Sequence, residues 1–133
     1  MSTVLCLRTV AIDSYRVIEA YGEIDIANAG ELQGIVGSCV AGGTDQLIVD
    51  LSGVRFMDSS ALNVLIRTAR QFGPGSFGVV VSRPSIRKIF AITAIDKIVP
   101  IFASVTDAVQ ALEADPDRGD TCPPGAESVL EPN

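Results

Sequence analysis

The spacing of apolar and polar positions changes period several times along the chain. Residues 4–12 and 16–21 are rich in Val, Ile, Leu and Tyr and read as strands. Asp13-Ser14 between them is turn chemistry, so the two are expected to form an antiparallel hairpin. From residue 28 the period becomes helical. Leu32, Ile35, Val36, Cys39 and Val40 fall at i, i+3, i+4, i+7 and i+8, which is one apolar helical face. Asn28 is the expected N-cap, with Glu31 at the spacing of a capping box, and Gly42-Gly43 ends the helix.

Residues 47–51 form a short apolar run that predicts a buried strand. A loop follows, and a second helix is expected to start near Ser59 or Ser60. It buries Leu62, Leu65, Ile66 and Ala69 and breaks at Phe72-Gly73-Pro74-Gly75. Residues 77–81 predict another buried strand. Ser85 is the expected cap of a short helix that turns Ile86, Ile89 and Phe90 inward. Residues 99–102 predict a last strand, and Thr106 the cap of a closing helix with Val109 and Leu112 inward. The order is β-β-α-β-α-β-α-β-α. Strand–helix–strand units force parallel pairing. The expectation is a single α/β domain over residues 3–113, a mixed and mostly parallel sheet packed with helices. Residues 114–133 are acidic and rich in Pro and Gly and predict a disordered tail.

Composition narrows the function classes. Of 133 residues, 47% are hydrophobic, Trp is absent and aromatics are 5%, so the core is aliphatic. The formal net charge of −6 repels phosphate backbones and argues against nucleic-acid binding. No signal-like segment opens the chain, and no apolar run approaches the roughly 20 residues of a membrane span, so a cytoplasmic protein without membrane contact is expected. With no histidine, Ser–His triads, Cys–His dyads and imidazole metal sites are excluded. Cys6, Cys39 and Cys122 form neither a disulfide framework nor a CxxC metal motif. Cys39 lies on the buried stripe, Cys6 in the first strand, and Cys122 in the tail as the most exposed of the three. Glu23 and Asp25 read as a solvated strand end, and Arg83, Arg87 and Lys88 as an exposed basic face. No cofactor or metal site is expected, and no enzymatic activity; a small enzyme using Asp58 and Ser59 is the weakest reading.

The informative segment is residues 51–65, LSGVRFMDSSALNVL. A strand ends and a helix begins, the place where sites gather in open α/β sheets. It holds Asp58, Ser59 and Ser60. The first N–H groups of a helix lack internal partners, and the helix dipole is positive there. A hydroxyl at that spot can cap the helix or carry a phosphate whose charge the helix end tolerates.

The FMDSSAL segment after VDLSGV resembles the signature of STAS domains, in particular bacterial anti-sigma-factor antagonists. GEIDIANAGEL at residues 22–32 and SRPSIRKIFAITAIDKIVPIFASVTDAVQAL resemble two further family segments in the right order. The resemblance spans residues 3–112. It implies a protein that, unphosphorylated, binds an anti-sigma factor, often itself a serine kinase, and so frees a sigma factor. Phosphorylation of the serine after the Asp breaks the complex, and a PP2C-type phosphatase restores it. By motif position the phosphoacceptor is Ser59, with Ser60 the second choice. Asp25, Asn28, Asp58, Ser59, Ser60 and Asn63 are the implied partner-binding residues. Members with the clearest phospho-switch have Gly after the two hydroxyl residues, where Ala61 stands here. The alternative within the fold is a soluble STAS-type subunit of a lipid-transport or stress-sensing assembly without sigma-factor control. A monomer that pairs with its partner is the default.

Overall fold

The first two apolar stretches form the antiparallel hairpin their turn residues predict. They are β1 (Leu5–Ile12) and β2 (Tyr15–Ile24). Asp13 adopts a left-handed conformation in the turn (φ 55°), which short polar side chains tolerate. A computed structural model describes residues 4–73 and 75–114, without the side chains of 113 and 114. Over that range the order continues α1 (Ala29–Ala41), β3 (Leu47–Met57), α2 (Ser59–Phe72), β4 (Phe77–Val80), α3 (Pro84–Ile92), β5 (Ile101–Phe102) and α4 (Val105–Ala114). A single 3-10 turn at Ile95–Lys97, not foreseen from the sequence, links α3 to β5. The expected tail lies outside the described residues apart from Ala114, the last residue of α4.

The five strands lie in sequence order, β1-β2-β3-β4-β5. β1 is antiparallel to β2, and every later pair is parallel. Alternation along the strands sends side chains to two faces. Ile18, Ala20 and Ile24 join Val49, Leu51, Phe77 and Val79 in the larger core, closed by Leu32 and Val36 of α1, Leu62 and Leu65 of α2, and Ile86 and Phe90 of α3. On the other face Tyr15, Val17, Ile48 and Val80 pack under Ala108, Val109 and Leu112 of α4. The predicted inward stripes thus face the core, although Val40 at the end of the α1 stripe is only half-buried. Ile66, Ala69, Ile35, Cys39 and Ile89 complete them as partly buried neighbours.

Two strands run further than their apolar runs suggest. β3 continues past Leu51 to Met57, where a loop was expected. Its extension pairs with the end of β2: Tyr21 with Gly53, Gly22 with Val54, Glu23 with Phe56, Ile24 with Met57. Register shifts between Glu19 and Tyr21 and between Gly22 and Glu23 absorb the mismatch. Gly53 lies under the Tyr21 ring, where a Cβ would collide with it.

Two expected caps are displaced and one is made differently. Asn28 is the N-cap residue of α1 as expected, but it makes no side-chain cap bond, so the capping box with Glu31 does not form. α3 starts with Arg83 at the cap position and Pro84 first in the helix, which places Ser85 inside it. In α4 the Ser104 hydroxyl accepts the Asp107 N–H at 3.1 Å, which places Thr106 in the first turn.

Candidate functional site

β2 and β3 end side by side. Ile24 and Met57 are the last paired residues, and the N–H of Asp58 donates to the carbonyl of Ile24 at 3.2 Å. Asp25 and Asp58 therefore leave the sheet from adjacent parallel strands, one towards α1 and the other into α2.

Asp58 caps α2. Its backbone is extended (φ −115°, ψ −170°), and its Oδ1 accepts the Ser60 N–H at 2.9 Å. Its carbonyl accepts the Ala61 N–H at 3.1 Å. The carboxylate, not a serine hydroxyl, thus satisfies the helix end. Ser59 is the first helical residue and is exposed; Ser60 is half-buried; Asn63, one turn on, is exposed. Ala61 is fully buried in the larger core, so its methyl group is not exposed beside Ser59.

The β2–α1 turn is built around Asp25 and Asn28. Asp25 Oδ1 accepts the Ala27 N–H at 2.9 Å, and its carbonyl accepts the N–H groups of Asn28 at 3.1 Å and Ala29 at 2.8 Å. Asn28 is 5% exposed. Its Oδ1 accepts the Asp25 N–H at 2.9 Å and its Nδ2 donates to the Glu23 carbonyl at 2.9 Å. A buried amide that satisfies two backbone groups is a staple. Asn28 sets the shape of the rim from beneath, while Asp25, partly exposed, stands on it.

The rim is acidic. Glu23, Asp25 and Asp58 lie along it, and Arg55 approaches Glu23 at 3.5 Å with both side chains well exposed. Two exposed apolar side chains that the sequence pattern did not single out flank it: Ile26, 83% exposed, and Phe56, 51% exposed. An isolated apolar residue in a turn, off any helical stripe, was the available signal for Ile26.

The other candidates lie apart from the rim. Arg87 donates to the Val81 carbonyl at 3.1 Å, and Arg83 and Lys88 are exposed. Cys6 is exposed and Cys39 half-buried; Cys122 falls outside the described residues. Burial pushes the Cys39 thiol pKa up, and nearby Arg16 opposes it. Among the described residues, no group of three or more His, Cys, Asp or Glu is arranged to hold a metal. No helix among them is long and apolar enough to cross a membrane.

Comparison with known proteins matches this arrangement to one family. The STAS domain matches residues 7–108. The anti-sigma-F factor antagonist RsfB of Mycobacterium tuberculosis is 33% identical over 94 residues, 70% of this chain and 77% of the relative. The crystal structure of an anti-sigma factor antagonist from Mycobacterium paratuberculosis superposes with a TM-score of 0.77 at 32% identity, over 83% of this chain and 95% of that one. The phosphorylated form of SpoIIAA, a Bacillus cell fate determinant, gives a TM-score of 0.60 at 18% identity, over 80% of this chain and 99% of that one, and shows the fold alone. The chain belongs to the STAS domain family.

Proposed function

We propose that this protein is an anti-sigma factor antagonist, a cytoplasmic binding module without catalytic activity, switched by phosphorylation at Ser59. The observation that carries the reading is the division of labour at the start of α2. Asp58 caps the helix, and this leaves Ser59 exposed beside it. The relatives at 32–33% identity are named anti-sigma factor antagonists, which supports the antagonist role here.

The unphosphorylated rim of Asp25, Asp58, Ser59, Ser60 and Asn63, shaped by Asn28, docks on an anti-sigma factor that is itself a serine kinase. Asp58 orients the Ser59 hydroxyl for transfer. A phosphate adds a charge of about −1.5 to −2 and three acceptor oxygens. The N-terminus of α2 tolerates that charge, so the domain stays folded. The partner does not tolerate it, because the rim already carries Asp25 and Asp58 and the added group prevents close packing. A PP2C-type phosphatase returns the binding form.

Capture by wild type, Ser59→Ala and Ser59→Asp tests the switch. Wild type and Ser59→Ala are expected to retain an anti-sigma kinase identified by mass spectrometry, and Ser59→Asp to lose it. Equal capture by all three would exclude a charge switch at Ser59.

A further inference from the structure

We infer that Ile26 and Phe56 are the apolar anchors of this docking rim, and that the partner meets them with an apolar socket ringed by lysine or arginine. The inference rests on the reading of the Ser59 rim as the docking surface and names what that surface recognises.

Exposed apolar side chains are ordinary one at a time. These two are distinguished by where they stand. Phe56 pairs in register with Glu23, one step before the Ile24–Met57 pair, and Ile26 lies one residue beyond Asp25. Phe56 stands on β3 two positions before Asp58, and Ile26 follows Asp25 in the turn after β2. Phe56 is three residues before Ser59 in the chain, and both are exposed.

Both are presented rigidly. Phe56 is held in the β2–β3 ladder. Ile26 sits in a turn pinned on both sides by the Asp25 carboxylate and the buried Asn28 amide. A residue displayed on a fixed backbone has little freedom to lose on binding, which is the condition for an anchor. Binding energy at interfaces concentrates in a few such central side chains, with polar groups around them.

Charge sets the chemistry of the socket. Glu23 pairs with Phe56 across the two strands, Asp25 precedes Ile26, Asp58 follows two residues after Phe56, Arg55 is drawn to Glu23, and the whole chain carries −6. A neutral or acidic partner face would leave these carboxylates facing apolar or like-charged surface. A basic ring pairs with them and steers the encounter, with an attraction that salt screens.

The test places a photo-crosslinking amino acid at position 26, 56, 63 or 92 of the full chain, in lysate of the source organism. Crosslinked polypeptides are identified by mass spectrometry. Ile92, 72% exposed, ends α3, which runs back towards the amino ends of the strands, and serves as the control. The same anti-sigma factor is expected from positions 26, 56 and 63 and not from 92. Against that purified protein, Ile26→Ala and Phe56→Ala are each expected to weaken affinity about tenfold or more. Added salt should weaken wild-type binding, and both variants should stay folded as read by circular dichroism. Crosslinks from 63 alone, wild-type affinity in both alanine variants, or crosslinks at 26 and 56 to a second copy of this chain would overturn the inference. If Ser59→Asp abolishes binding while both alanine variants bind normally, the anchors fail and the switch stands. If no position captures an anti-sigma factor, the switch and the anchors fail together.

Discussion

The Asp58 N–H donates to the Ile24 carbonyl across 3.2 Å, joining the ends of two strands that lie far apart in sequence. Through that bond Asp25 and Asp58 leave the sheet from neighbouring strands, about 4.8 Å apart. Asp58 then caps α2, and Ser59 is set at the positive helix end next to that carboxylate. The candidate site is thus a consequence of parallel pairing between β2 and β3.

Removing the cap should be felt in stability. Asp58→Ala leaves the Ser60 N–H without its partner, an expected loss of about 1 kcal/mol. Asp58→Asn keeps the cap, because Asn serves nearly as well, and should restore most of it. Urea denaturation of the two variants separates capping from charge. Partner capture by Asp58→Asn then reports the charge alone.

Asn28→Ala leaves the Asp25 N–H and the Glu23 carbonyl unpaired beneath the rim. Buried groups left this way cost about 1–3 kcal/mol. The expected result is a lower urea midpoint together with faster hydrogen exchange at the Asp25 amide. Unchanged exchange there would show that the turn does not depend on this staple.

Two glycine substitutions should act in opposite directions. Gly22 has φ +110°, and a Cβ there would collide with the Val4 carbonyl. Gly22→Ala is expected to cost about 2 kcal/mol or more. Gly34 lies in the middle of α1 with nothing within 4 Å of an added Cβ. Gly34→Ala is expected to stabilise the protein by about 0.5–1 kcal/mol. Thermal unfolding of both reads the contrast.

Cys39 gives a pH dependence. Burial raises its thiol pKa above the ordinary value in the folded protein, with Arg16 opposing. A raised folded pKa means that its contribution is complete below the unfolded thiol pKa and is lost as pH rises through the folded one. Stability should therefore decline at alkaline pH, and Cys39→Ala should lessen the decline. At pH 8, iodoacetamide labelling followed by mass spectrometry should modify exposed Cys6 faster than Cys39.

The local periodicities were legible from the residues alone. Leu32 and Val36, Leu62 and Leu65, and Ile86 and Phe90 each repeat at helical spacing, and each pair is buried. Asp13-Ser14 turns the hairpin, and Gly42 ends α1. The family resemblance around FMDSSAL also needed only the sequence, and the match over residues 7–108 agrees with it. These features depend on neighbours within a few positions, which the order of residues specifies directly.

What depended on distant partners was not legible. Asn28 holds the N-cap position as its identity suggests, yet its side chain bonds back to the Asp25 N–H and the Glu23 carbonyl instead of to the helix. Ser85 and Thr106 lost the expected cap positions to Arg83 and Ser104, since a helix begins where the incoming chain turns. The polar residues Ser52 and Arg55 disguised the end of β3, which is a strand only because β2 runs beside it. Side-chain periodicity along one segment determined which residues could be buried. The pairing of β2 with β3 decided which carboxylates, hydroxyl and apolar side chains share a rim, because hydrogen bonds between strands act across space and leave no period in either strand.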